Sequence, residues 1–89
     1  MNQPLQKARY LSEPQNKRFA GLITVFFGRR PYEFILKDLL QEELVFETSD
    51  EIFLTESGKK ELHRLAFFCG LLVTGDDVKP IRYSYVDPE

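Results

Sequence analysis

Residues 44–48 (LVFET) and 51–55 (EIFLT) are two short apolar runs separated only by Ser49 and Asp50. Both are rich in branched and aromatic side chains, which pack well on a pleated surface and lose rotamer freedom in a helix. Two such runs around a polar pair read as a β-hairpin with a tight loop. The second run ends at Thr55, whose hydroxyl can cap a helix that begins through Glu56 and Ser57 and reaches about Val73. A chain that changes from strand to helix within a few residues is α+β.

The segments before the hairpin have helical spacing. Ser12 is a good N-cap, Gln15 completes a capping box, and Pro14 is tolerated in a first turn. The spacing predicts a helix to about Phe27, with Phe19, Ile23, Phe26 and Phe27 on one face, Lys17 and Arg18 outside it, and Gly28 as C-cap. Pro31 opens a second helix in which Tyr32, Ile35, Leu36, Leu39 and Leu40 form a stripe, while Phe34 points away beside Lys37 and Gln41. In the last helix Leu62, Leu65, Ala66, Cys69, Leu72 and Val73 form the core stripe, and Phe67 and Leu71 fall on the opposite side. After a TGDD turn, Ile81, Tyr83 and Tyr85 alternate with Arg82 and Ser84, as in a half-buried strand or an extended tail.

Eighty-nine residues are enough for one domain. Residues 1–11 are sparse in apolar side chains and predict a flexible arm, leaving 12–89 as the domain. A hydrophobic content of 43% with 29% charged residues fits a globular chain and argues against disorder. The run GLITVFFG is far short of the roughly 20 residues that span a bilayer, and no cleavage site follows it. The one cysteine, Cys69, cannot form an internal disulfide. The expectation is a soluble cytoplasmic protein.

The stretch LLQEELVFETSDEIFLTESGKKEL, in the order helix, helix, hairpin, helix, resembles the winged-helix family where the wing meets the last helix. The residues that carry the resemblance are Leu39, Leu40, Leu44, Val45, Phe53, Leu54, Thr55, Glu56 and Gly58, within residues 39–62. It implies a small winged-helix-like domain: three helices, a β-hairpin wing, and a C-terminal strand or extended tail. The connection GRRPYEF leaves no room for both the small helix and the turn that such domains place before the recognition helix. Residues 32–43 would take the recognition position, but their outward side chains include Glu33, Asp38, Gln41 and Glu42. The resemblance thus speaks for architecture more than for reading DNA.

No catalytic constellation is recognisable. His63 has no partner nucleophile or second acid, and Cys69 on a core stripe would resist ionisation. Asp76 and Asp77 lack the further oxygen ligands a calcium loop needs, and SGKK lacks the upstream glycines of a phosphate loop. No enzyme, cofactor, metal or small-molecule substrate is expected.

Two binding readings remain. In the first, the chain is a small regulator or adaptor acting through protein contacts, as a homodimer or with another protein. Its interface comprises Phe67 and Leu71, with Lys60 and Arg64 at the rim and Phe34 elsewhere on the surface. The resemblance adds to this, because the last helix of small bacterial winged-helix proteins is commonly a dimer contact. The alternative is a DNA-binding regulator using Lys17, Arg18, Arg29 and Arg30, each able to release counterions from a phosphate backbone. Up to Arg30 the chain holds six bases against Glu13 alone. Against DNA, the hairpin carries Glu47, Asp50 and Glu51, which a phosphate backbone repels.

Overall fold

Ser12 starts the first helix, α1 (Glu13–Phe26), through a reciprocal pair of hydrogen bonds in the computed structural model, which describes residues 10–81. Its Oγ accepts from the Gln15 backbone N–H at 3.3 Å, and Gln15 Oε1 accepts from the Ser12 N–H at 3.0 Å. Backbone donors left orphaned at a helix start are thereby satisfied, as the capping box predicts. At the other end Gly28 adopts φ 80°, and the N–H groups of Gly28 and Arg29 donate back to Val25 and Thr24, both at 2.9 Å. That left-handed turn closes the last carbonyls of α1.

The second helix, α2 (Glu33–Gln41), takes its first bonds from the Tyr32 carbonyl, which accepts from Ile35 and Leu36. Tyr32 is therefore the N-cap and its ring is exposed, so it leaves the apolar stripe. Leu36 and Leu39 are buried, with Ile35 and Leu40 packed beside them.

Strands β1 (Val45–Glu47) and β2 (Ile52–Leu54) pair antiparallel with Phe46 opposite Phe53. Thr48 holds the loop: its N–H donates to the Glu51 carbonyl at 2.8 Å and its Oγ1 accepts from the Glu51 N–H at 3.0 Å. Because side chains alternate along a strand, Val45 and Leu54 turn toward the core and Phe46 and Phe53 turn outward.

Thr55 joins this hairpin to the third helix, α3 (Glu56–Phe68). Its Oγ1 accepts from the Gly58 N–H at 3.0 Å and donates to the Glu43 carbonyl at 2.7 Å. The capping role expected of Thr55 is present, and the hydroxyl also ties α3 to the end of α2. Gly58 lies so close to Leu44 that a Cβ there would overlap the Leu44 carbonyl oxygen. Leu22, Leu36, Leu39, Leu62 and Leu65 meet at the centre, each fully buried.

The expected end of the last helix is corrected. α3 stops at Phe68 rather than near Val73, because Gly70 at φ 80° reverses the chain. Residues beyond it form β3 (Leu71–Val73), antiparallel to β4 (Val78–Pro80), around the expected turn at 74–77. Leu71 therefore does not share a helix face with Phe67. Leu72 is exposed rather than in the core, whereas Val73 is buried from a strand. Phe27, expected on the apolar face of α1, is about half exposed as the C-cap. At the other end Leu11, expected in the arm, is buried in the core. Residues 1–9 and 82–89, with Tyr83 and Tyr85 of the expected C-terminal strand or tail, lie outside the described residues. What is described is a small α+β domain of three helices and two antiparallel hairpins.

Candidate interaction surface

Lys60, Arg64 and Phe67 recur at helical spacing on the side of α3 away from Leu62, Leu65 and Ala66. Past Gly70, β3 packs back along α3. The two elements enclose a shallow hollow lined by Lys60, His63, Arg64, Phe67, Leu71 and Leu72. Phe67 is 65% exposed and Leu72 50%. The hollow brings Phe67, Leu71, Lys60 and Arg64 together, with Leu71 supplied by the strand rather than the helix and half-sheltered against the core. Phe34 is not among its lining residues. That ring stacks on Tyr32 at 6.1 Å, with Lys17 Nζ 5.8 Å from its centre, and belongs to the α1–α2 side.

Arg64 is held rather than free. Its Nε and a terminal nitrogen donate to both oxygens of Glu61, at 3.0 and 2.8 Å, and Arg18 reaches the same carboxylate from α1 at 3.0 Å. The Glu61 side chain is largely sheltered from solvent. Arg64 first, and Arg18 after it, hold the Glu61 carboxyl below the usual glutamate range against the opposing effect of burial. Lys59 and Lys60, by contrast, have no ion-pair partner among the described residues.

The four basic residues considered for nucleic acid do not form one patch. Lys17 and Arg18 sit near the start of α1, facing α2, and Arg29 and Arg30 follow its end, beside the hairpin. At 1.5 Å of rise per residue the two pairs are on the order of 15 Å apart. Arg18 is engaged by Glu61, and Arg30 by Glu47 at 2.8 Å and Glu33 at 3.5 Å.

Phe46 and Phe53 form a second apolar patch on the outer face of β1–β2, with rings stacked 5.1 Å apart and 48% and 40% exposed. The sequence reading missed this pair, as it missed Leu72. Alternation in the hairpin is the signal that would have found it: if Val45 and Leu54 face inward, the phenylalanines between them and the loop must face out.

Cys69 caps α3 at its C-terminus, partly buried, and burial pushes its thiol above the ordinary value. His63 is exposed. Among the described residues no group of His, Cys, Asp or Glu side chains is arranged to hold a metal ion, and no helix is long and apolar enough to cross a membrane. Compared with family models, curated proteins and solved structures, the chain matches none.

Proposed function

We propose that the chain is a non-catalytic binding module of winged-helix type, a small regulator or adaptor that acts through self-association and protein contacts at the α3–β3 hollow. The observation that carries this reading is the exposure of Phe67 beside Leu72 on one continuous surface rimmed by Lys60 and Arg64. Burying a large apolar side chain is worth about 1.5–3 kcal/mol, so two left in water forgo an amount comparable with much of a small domain's net stability. The winged-helix part draws support from the order in which α2 leads to β1–β2 and the hairpin leads through Thr55 into α3. The β3–β4 hairpin lies beyond what that resemblance implies.

The competing reading, a DNA-binding regulator, has less support. Two of its four basic residues are engaged by acids of the same domain, and the hairpin loop keeps Asp50 and Glu51. A non-catalytic role is consistent with a thiol made less acidic by burial.

Multi-angle light scattering across a concentration series tests the proposal. The expected mass is twice that of the chain, and Phe67→Glu, at an exposed site, should give a folded monomer. A wild-type protein that stays monomeric up to millimolar concentration would overturn self-association.

A further inference from the structure

Leu71, Leu72 and Val73 all line the α3–β3 hollow, and no residue of β4 does. Successive side chains of a strand point to opposite faces, so three consecutive lining residues mean that the hollow runs along the edge of β3 and not over one face. The free edge of a two-stranded sheet is thus one wall of the hollow, and the Lys60–Phe67 side of α3 is the other.

The backbone groups on that edge follow from the register. Thr74 N–H donates to the Asp77 carbonyl at 2.8 Å, and Ile81 N–H to the Gly70 carbonyl at 2.9 Å. Bonded and unbonded positions alternate in an antiparallel pair, so Leu72 bonds Lys79, while Leu71 and Val73 direct their N–H and C=O groups away from β4. Neither N–H has an acceptor elsewhere among the described residues. Val73 is buried within the domain, where backbone groups are nearly always paired, so this edge lacks a strand. The opposite edge is closed: Val78 N–H donates to Asp77 Oδ1 at 2.8 Å, and Pro80 has no N–H to give.

The chain supplies a strand of fitting length and pattern. Three β3 residues span about 10 Å, which four residues of extended chain cover. Directly after Ile81 comes RYSYV, residues 82–86, with Tyr83 and Tyr85 alternating with Arg82 and Ser84. An added strand of this pattern sets both tyrosines on one face, toward Phe67, and Arg82 and Ser84 on the other. Its own hollow is the wrong receiver. β4 runs antiparallel to β3 and leaves past Gly70, heading away from the hollow, which lies on the far side of β3. To enter it, the segment would have to reverse and cross the link between α3 and β3 within a few residues, against the rule that connections at a sheet edge do not cross. A second copy receives it without any crossing.

Resting on the self-association proposed above, we infer that the α3–β3 hollow is a strand-receiving groove whose occupant is residues 82–86 of a second copy. They add to the open edge of β3, bond the Leu71 and Val73 backbone, and cover Phe67 with Tyr83 and Tyr85. Given reciprocally about a two-fold axis, the exchange closes at two copies.

The test compares the parent with a full-length variant carrying Tyr83→Glu and Tyr85→Glu, with circular dichroism to check that both fold. The variant should dimerise roughly a hundredfold more weakly, about tenfold for each aromatic anchor lost. Amide hydrogen exchange read by NMR should be roughly tenfold slower at Leu71 and Val73 in the parent dimer than in the variant, with Lys79, bonded within the hairpin, as the unchanged control. In a dimer of isotope-labelled and unlabelled parent chains, contacts of Tyr83 and Tyr85 with Phe67 should run between chains. If the variant dimerises as the parent does, if Leu71 and Val73 exchange equally in both, if the tyrosine contacts run within one chain, or if the parent grows beyond two copies, the strand exchange is wrong while self-association stands. A parent that never dimerises removes both.

Discussion

Thr55 performs two tasks with one hydroxyl, and the substitutions Ser, Asp and Val separate them. The acceptor half caps α3 at the Gly58 N–H, and the donor half ties that cap to the Glu43 carbonyl at the end of α2. Loss of a side-chain cap costs about 1 kcal/mol. Loss of the donated bond costs about 1 kcal/mol more, because the Glu43 carbonyl loses a partner. Thr55→Val keeps the shape and removes both, so it should destabilise by about 2 kcal/mol. Thr55→Asp keeps the acceptor but cannot donate at neutral pH, and should fall about halfway. Thr55→Ser keeps both and should stay within about 0.5 kcal/mol of the parent, the range of changes that disturb no such feature. Urea unfolding reads these differences directly. With a slope of about 1–3 kcal/mol per molar for a small protein, the valine midpoint should drop by about 0.7–2 M at unchanged slope. In a domain this size the melting temperature should fall by about 10 °C. If valine and serine unfold at the same midpoint, the hydroxyl does not hold the junction and the start of α3 is misplaced.

Gly58→Ala should destabilise by about 1–3 kcal/mol in urea unfolding, against the usual gain from alanine in a helix, because the new methyl meets the Leu44 carbonyl and the backbone cannot yield as a side chain would. Gly75→Ala, where an added Cβ meets nothing, is the control and should be close to neutral. Glu61→Gln should cost about 1 kcal/mol at pH 7, a modest figure because both arginines are partly in solvent. Since the folded-state pKa of Glu61 lies below its ordinary value of 4.5, its contribution is complete above that value and is lost as the pH falls through the folded pKa. The stability difference between parent and Gln variant should therefore shrink in unfolding curves run below pH 4, and a difference that persists there would disprove the ion pairing.

The helix starts and the first hairpin were legible because each has a local chemical signal. Ser12 with Gln15, Pro31, and Thr55 each mark a boundary with groups only a few residues apart; the structure starts α1 and α3 directly after Ser12 and Thr55, and α2 at Glu33, two residues after Pro31, with Tyr32 as its N-cap. The end of α3 was not legible by periodicity. Cys69, Leu72 and Val73 continue a helical stripe as well as they begin a strand, and a short apolar run fits both. Gly70 was the informative residue, since a left-handed φ ends a helix wherever it falls. That misplacement put Leu71 on the helix and Leu72 in the core, which exchanged the exposed member of the pair for the half-sheltered one. The surface survived the error because Lys60, Arg64 and Phe67 lie before Gly70, where the helical count still holds.

Charge was the least legible property, because sequence position records where charges are and not which of them remain unneutralised. The basic start of the chain suggested a cationic face. In the fold, Arg18 crosses to Glu61 on α3, and Arg30 crosses to Glu47 on β1 with Glu33 beside it. Each contact joins an arginine from the basic stretch to an acid from the acidic remainder and fastens α1, or the connection after it, to the rest of the domain. The polarity of the sequence is thus spent internally at these points. Near the exposed phenylalanines the residues without such partners, among those described, include Asp50 and Glu51 on the hairpin and Lys59 and Lys60 on α3. Uncompensated charge beside exposed aromatic area is the pattern of a rim around an apolar centre.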